Sequence, residues 1–174
     1  MNNTKLEIGT TKNIGGEEFI ILDVLDNGVL CLSKDFAYTN TMFDSNSNNY
    51  ANSSIRKLLN TEYLKKIADA VGEENIIETE IDLTSDDGLD DYGKVTDKVG
   101  LLTADMYRKY NSIIEKYPVN DWWWLSTPWS TPHRGYSCSV RCVDDDGTLL
   151  NDYCDGYCGV RPFCILKSNI FVSK

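Results

Sequence analysis

The chain has 174 residues, 41% hydrophobic and 25% charged, with a formal net charge of −10, the profile of one ordinary globular domain with little room for a second. That excess of acid argues against a nucleic-acid partner and against an anionic membrane surface, since both draw their affinity from Lys and Arg. No apolar run approaches the roughly 20 residues of a spanning helix, and the start MNNTKLEIGTTKNIGG lacks a basic or apolar leader region, so no membrane insertion is expected and the localisation expected is cytoplasmic or virion-associated.

In chain order, residues 5–33 read as β-rich. Phe19 to Leu25 is an apolar run suited to a buried strand, Asp26-Asn27-Gly28 predicts a hairpin with a type I′ turn, and Val29 to Leu32 returns beside it. An Asn/Ser-rich loop, residues 40–52, follows. Ile55, Leu58, Leu59, Tyr63, Leu64, Ile67, Ala68 and Val71 repeat at helical spacing, with Ser53 or Ser54 as cap and Gly72 as stop. Residues 73–97 are acidic, and Asp86-Asp87-Gly88 and Asp90-Asp91 read as a solvated loop, because the ligand spacing of an EF-hand is missing. Val99 to Leu102 reads as a short strand. Thr103 caps a second predicted helix, 104–117, with Met106, Tyr107, Tyr110, Ile113, Ile114 and Tyr117 as its buried stripe and Pro118 as its end. Strands and loops are expected beyond it, which makes an α+β fold.

The segment STPHRGYSCSVRCVDDDGTLLNDYCDGYC, Ser130 to Cys158, has a composition of its own. It holds four of the six cysteines and no Lys, Glu, Met or Trp. Those four types supply 28 of the 174 residues, so roughly five would be expected by chance. The segment lies between Trp122-Trp123-Trp124-Leu125-Ser126-Thr127-Pro128 and Gly159-Val160-Arg161-Pro162. A polar insert between bulky blocks reads as a surface displayed on a scaffold, which points to recognition before catalysis. Cys138-x3-Cys142 and Cys154-x3-Cys158, with His133 as a spare ligand, have the donors for tetrahedral zinc. Their spacing is wrong for a zinc knuckle, and strand positions four apart lie about 13 Å from each other. A disulfide between facing strands is a second minor reading, and free thiols are the leading one. Cys31 and Cys164 read as core residues. Asp144-Asp145-Asp146-Gly147 reads as a type I′ or bulged hairpin turn in preference to a calcium loop. Strand alternation allows Trp123 or Trp124 into the core and puts at least one other tryptophan beside the surface. Arg161 reads as a structural ion-pair or hydrogen-bond centre.

Several motifs together resemble one family. Ile8-Gly9 with Gly16-Glu17-Glu18-Phe19-Ile20-Ile21-Leu22-Asp23, then Ser53-Ser54-Ile55-Arg56-Lys57-Leu58-Leu59-Asn60 and Val99-Gly100-Leu101-Leu102-Thr103, follow its order. So do Trp123-Trp124-Leu125-Ser126-Thr127-Pro128, the turn from Val143 to Gly147, and Gly159-Val160-Arg161-Pro162. The chain resembles the domain-of-unknown-function 6273 family, with Leu58 where Trp is usual and Ser126 where Arg is usual. The resemblance implies a C-type-lectin-like fold related to formylglycine-generating enzymes. It also implies a kinship with variable proteins of diversity-generating retroelements. In such proteins adenine-directed rewriting of Asn codons reaches Tyr, Ser, Asp, Cys, Gly and Arg but never Lys, Glu, Met or Trp, the exclusion that the segment shows.

The expectation is therefore a single α+β, C-type-lectin-like domain with antiparallel sheets, two helices at 54–71 and 104–117, and a ligand-facing segment at about 126–158. The candidate ligand-binding residues are Trp129, His133, Arg134, Tyr136, Arg141, Asp152, Tyr153, Asp155 and Tyr157. Tyr136, Arg141, Tyr153 and Tyr157 are the anchors, because Tyr and Arg bury large contact areas at low entropic cost. No catalytic residue, metal or cofactor is expected. The expected partner is an unknown protein or surface receptor, with a homo-oligomer left open. A structural virion or assembly protein is the alternative, and an oxidase like the formylglycine-generating enzymes comes third.

Overall fold

The structure is a computed structural model that describes residues 6–171, so residues 1–5 of the start, and with them the first residue of the predicted β-rich opening, lie outside it. Its strands are β1 (Thr11–Ile14), β2 (Glu17–Val24), β3 (Val29–Ser33), β4 (Tyr38–Thr41), β5 (Ile76–Ile77), β6 (Thr79–Asp82) and β7 (Lys94–Asp97). There follow β8 (Val99–Gly100), β9 (Trp123–Pro128), β10 (Ser139–Val143), β11 (Leu149–Tyr153), β12 (Cys158–Val160) and β13 (Phe163–Leu166). One sheet runs β1-β2-β3-β13-β5, with β8 also on β13; the second runs β11-β10-β9-β12-β4; β6 and β7 form a separate hairpin. All pairs are antiparallel except β12 on β9. With its helices the fold is α+β.

The β2–β3 hairpin forms where Asp26-Asn27-Gly28 predicts it, but by a different turn. Leu25 and Gly28 exchange backbone hydrogen bonds of 2.7 and 3.4 Å, and neither Asn27 nor Gly28 has the positive φ of a type I′ turn. Glycine is required there by space: a Cβ on Gly28 would lie 2.5 Å from the Leu166 carbonyl oxygen of β13 and 2.8 Å from Ile77 Cδ1. Gly28→Ala should therefore destabilise the protein by about 1–3 kcal/mol as an overpacked site, seen as a lower midpoint in urea. An unchanged midpoint would show that β13 gives way freely. The β10–β11 turn is the bulged form: Asp144 and Gly147 close it, and Gly147 takes φ 89°.

The first helix occupies residues 54–71 as expected. Ser53 Oγ accepts from the Arg56 amide at 3.2 Å, and Gly72 ends the helix at φ 84°. Its middle, Leu59–Tyr63, is a π-helical turn. The reason is in the spacing of the fully buried residues, Ile55, Leu59, Tyr63 and Ile67, which recur at every fourth position. An α-helix of 3.6 residues per turn would rotate such a row off its face, and one wider turn brings it back. Asn60 serves the loosened turn, donating from Nδ2 to Arg56 O at 3.2 Å and to Val99 O of β8 at 2.9 Å.

The second helix, Ala104–Ile114, ends short of the predicted residue 117, in tight turns that lead to Pro118. Thr103 caps it by accepting from the Met106 amide. Its tyrosines tether both sheets: Tyr110 donates to Asp23 at the end of β2, Tyr107 to the carbonyl of Gly147 in the β10–β11 turn, and Tyr117, just past the helix, to the carbonyl of Gly9, each at 2.7 Å. This helix therefore holds the second sheet in place against the first.

Candidate functional site

The second sheet carries the cysteine-bearing segment. Strand β9 is buried along its whole length, Ser126 included, so the exposed part of the predicted 126–158 surface begins at Trp129. Trp123 and Trp124 are both core residues, Trp122 is half-buried and Trp129 is exposed. Alternation explains the split of faces, since Cys142 of β10 stands opposite Trp124 and Val143 opposite Trp123. On one face Trp124 packs edge-on to Phe43, with centroids 5.8 Å apart, and donates Nε1 to Thr41 O at 2.7 Å. On the other, Trp123 meets Tyr107 at 5.6 Å and the Arg161 guanidinium at 4.9 Å.

The candidate contact residues divide into those that face solvent and those beneath them. Tyr136, Tyr153 and Tyr157 are 51%, 67% and 58% exposed, and Trp129 is 37% exposed. His133 and Arg134 stand exposed on a short turn, Pro132–Arg134, and Asp155 is exposed beyond β11. Asp152 is half-buried, with Oδ1 accepting from the Tyr153 amide at 2.8 Å. Arg141 differs from its predicted role as an exposed anchor. It is only 8% exposed, its guanidinium lies 5.0 Å from the Trp129 ring centroid, and Nε sits 3.5 Å from Asp86 Oδ2 without hydrogen-bond geometry. Arg141 thus supports Trp129 from below.

The acidic loop is the largest departure from expectation. Asp86, Asp87 and Asp91 are not merely solvated; they dock on the start of the cysteine-bearing segment. The Asp86 amide donates to Pro128 O at 2.9 Å, and its carboxylate pairs with Arg108 at 2.8 Å besides facing Arg141. Asp87 accepts from Ser130 Oγ at 2.8 Å and pairs with Arg134 at 3.1 Å, and Asp91 accepts from Thr131 Oγ1. The hydroxyl of Ser85, then that of Ser130 and the Arg134 charge, hold the Asp87 carboxyl below its ordinary pKa. Asn48, fully buried, holds the same stretch, its Nδ2 donating to Ser130 O and Ser139 O, both at 2.9 Å. Its amide donates to Ser137 O at 2.8 Å, and its Oδ1 accepts from Tyr92 at 2.7 Å. The backbone of residues 130–139 is therefore pinned by groups from outside the segment.

A family model described as Domain of unknown function (DUF6273) matches residues 26–168. The chain belongs to this family. The matched span of DUF6273 starts in the β2–β3 turn and ends just after β13, so it takes in both helices, all of the second sheet, the acidic loop and Asn48. No curated protein and no solved structure matches the chain.

The cysteines of this DUF6273 chain fall into pairs. Cys31 and Cys164 are direct cross-strand partners of β3 and β13. Cys154 donates its amide to Cys138 O, and Cys158 donates its thiol to Asp152 Oδ2 at 3.8 Å, with the neighbouring Cys142 thiol the largest cause of its raised pKa. Among the described residues no three His, Cys, Asp or Glu side chains converge as a metal-binding group would. Cys154 and Cys164 are each pushed up to about 12, chiefly by burial, so at neutral pH both are protonated and neither is the thiol that opens an attack on an external electrophile.

Proposed function

We propose that the protein is a non-catalytic binding module with a C-type-lectin-like fold, that its ligand surface is the aromatic segment 129–157, and that it is the variable protein of a diversity-generating retroelement. The observation that carries this reading is where the exposed apolar side chains stand. Among the described residues seven large ones are exposed, and Trp129, Tyr136, Tyr153 and Tyr157 are four of them, all within one stretch of the chain. Clustered exposed aromatics mark interaction surfaces, and tyrosine gives contact area with few rotamers to freeze. The partner fitted by such a surface is a protein or surface receptor.

Two further observations support the reading. The backbone under the aromatics is held by Asn48, Asp87 and Asp91, none of which belongs to the segment. Outward side chains can then change without loss of the fold, which a diversified protein requires. The missing Lys, Glu, Met and Trp between Ser130 and Cys158 match what adenine-directed rewriting cannot produce. Mostly buried thiols are poor material for the oxidase alternative.

The encoding DNA is the direct test: a reverse-transcriptase gene and a near-identical repeat should lie nearby, with differences confined to template adenines. A genome without such a repeat ends the diversification part of the proposal. The surface part is tested by stability. Tyr153→Ala and Tyr157→Ala should each leave the unfolding free energy within about 0.5 kcal/mol of wild type, because neither side chain supports the core. A loss several times larger would make the tyrosines structural and remove them from the ligand surface.

A further inference from the structure

We propose that Cys138 and Cys154 form a thiol-oxidation site, at which a low-molecular-weight disulfide such as glutathione disulfide joins them into a bond across the open end of the β10–β11 hairpin. The register places them. Ser139 is opposite Tyr153, so the next pair outward is Cys138 and Cys154, and the Cys154 amide donates to Cys138 O at 2.5 Å. Hydrogen-bonded antiparallel partners keep their Cα atoms about 5.5 Å apart, within the commonest range of disulfides. Directly opposed residues also point to the same face of the sheet. The Cys138 thiol is also, after burial, the next cause that raises the pKa of Cys154.

Access separates Cys138 from the others: it is partly exposed, whereas its partner Cys154 is buried, as are Cys31, Cys142, Cys158 and Cys164. The Cys138 thiolate attacks one sulfur of glutathione disulfide, forming a mixed disulfide and releasing one glutathione thiolate, which takes up a proton. The Cys154 thiol then loses its proton and attacks the Cys138 sulfur, displacing the second glutathione thiolate, which takes that proton. Two protein thiols are oxidised, and one glutathione disulfide is reduced to two glutathiones. The bond lies where β11 leads into the turn that carries Tyr153, Asp155 and Tyr157, and it stiffens that turn before any partner arrives. The inference goes beyond the binding reading and stands without it.

The test is to incubate the full native chain with excess glutathione disulfide, then alkylate, denature and map the peptides by mass. The expected product is two hydrogen atoms lighter, linked from Cys138 to Cys154, with the other four thiols still alkylated after denaturation. Its Tm should be higher by about 8 °C, as for a closed loop of this size in a domain of this length. In Cys154→Ser the reaction should stop at a glutathione mixed disulfide on Cys138. Wild-type protein that keeps both thiols reduced, that stops at that mixed disulfide, or that links Cys138 to Cys142 or Cys158 overturns the assignment.

Discussion

Asn48→Ala is expected to lower the unfolding free energy by about 3–5 kcal/mol, because it breaks all three side-chain hydrogen bonds of a fully buried amide together. The lost partners are the carbonyls of Ser130 and Ser139 and the hydroxyl of Tyr92. Water does not readily replace an amide in a site where Asn48 is fully buried. In thermal unfolding the change should read as a fall in Tm of roughly 10 °C. Asn48→Asp should be no better than alanine, since it keeps an acceptor for Tyr92 but turns a carboxylate towards two carbonyl oxygens. Hydrogen exchange should report the same loss locally, with amides of residues 130–139 opening before those of β2 and β3. A variant with near wild-type Tm and unchanged exchange would show that the segment holds its own shape, and the scaffold argument would fail with it.

Arg161→Met should cost about 2–4 kcal/mol by stranding buried carbonyls. Arg161 is fully buried; its Nε donates to Ser33 O at 3.1 Å, and its Nη2 to Lys34 O at 2.8 Å and Tyr117 O at 3.4 Å. With β12 in one sheet and β13 in the other, its fork joins the sheets at the point where the chain crosses between them. Arg161→Lys should rescue little, because an ammonium cannot reproduce a planar fork stacked on Trp123. The pH dependence has a definite sign. Burial lowers the Arg161 pKa well below the ordinary arginine value, to about 10, so the folded state disfavours the charged form, and that cost is present throughout the pH range below the folded pKa. As pH rises from about 10 towards the ordinary arginine range, the folded protein releases this proton first and wild type gains stability relative to the Met variant. The stability difference should therefore be flat around neutrality and widen above pH 10 or so. A difference that narrows there would mean that the guanidinium charge favours folding.

The two helices were legible because helical spacing and caps are local. Ser53, Gly72 and Thr103 act within a turn of their own backbone, and the row of residues 55, 59, 63 and 67 even contained the period that calls for a π turn, although 3.6-residue counting passed over it. Gly28 shows the opposite case. Its presence marks a turn correctly, but the reason for it, a carbonyl 138 residues further along the chain, has no local trace. The same holds for the acidic loop. Nothing in Asp86-Asp87-Gly88 distinguishes solvated acids from acids that meet Ser130, Arg134 and Arg141, since those partners are more than 40 residues away. Arg141 was misplaced as an anchor because residue type favours exposure, while strand alternation together with the cover from Trp129 and Asp86 decides against it.

By itself the sequence determined the α+β class, the two helices, the family, and the segment on which exposed aromatics gather. All of these rest on interactions between near neighbours or on composition, which a linear reading contains. Only the tertiary structure decided which acids are anchors, which arginine is buried, what Asn48 holds, and which cysteine faces which. Those outcomes depend on registers and contacts set by two sheets closing around a common core. They are properties of the pairing of distant strands, and no single stretch of the chain encodes them.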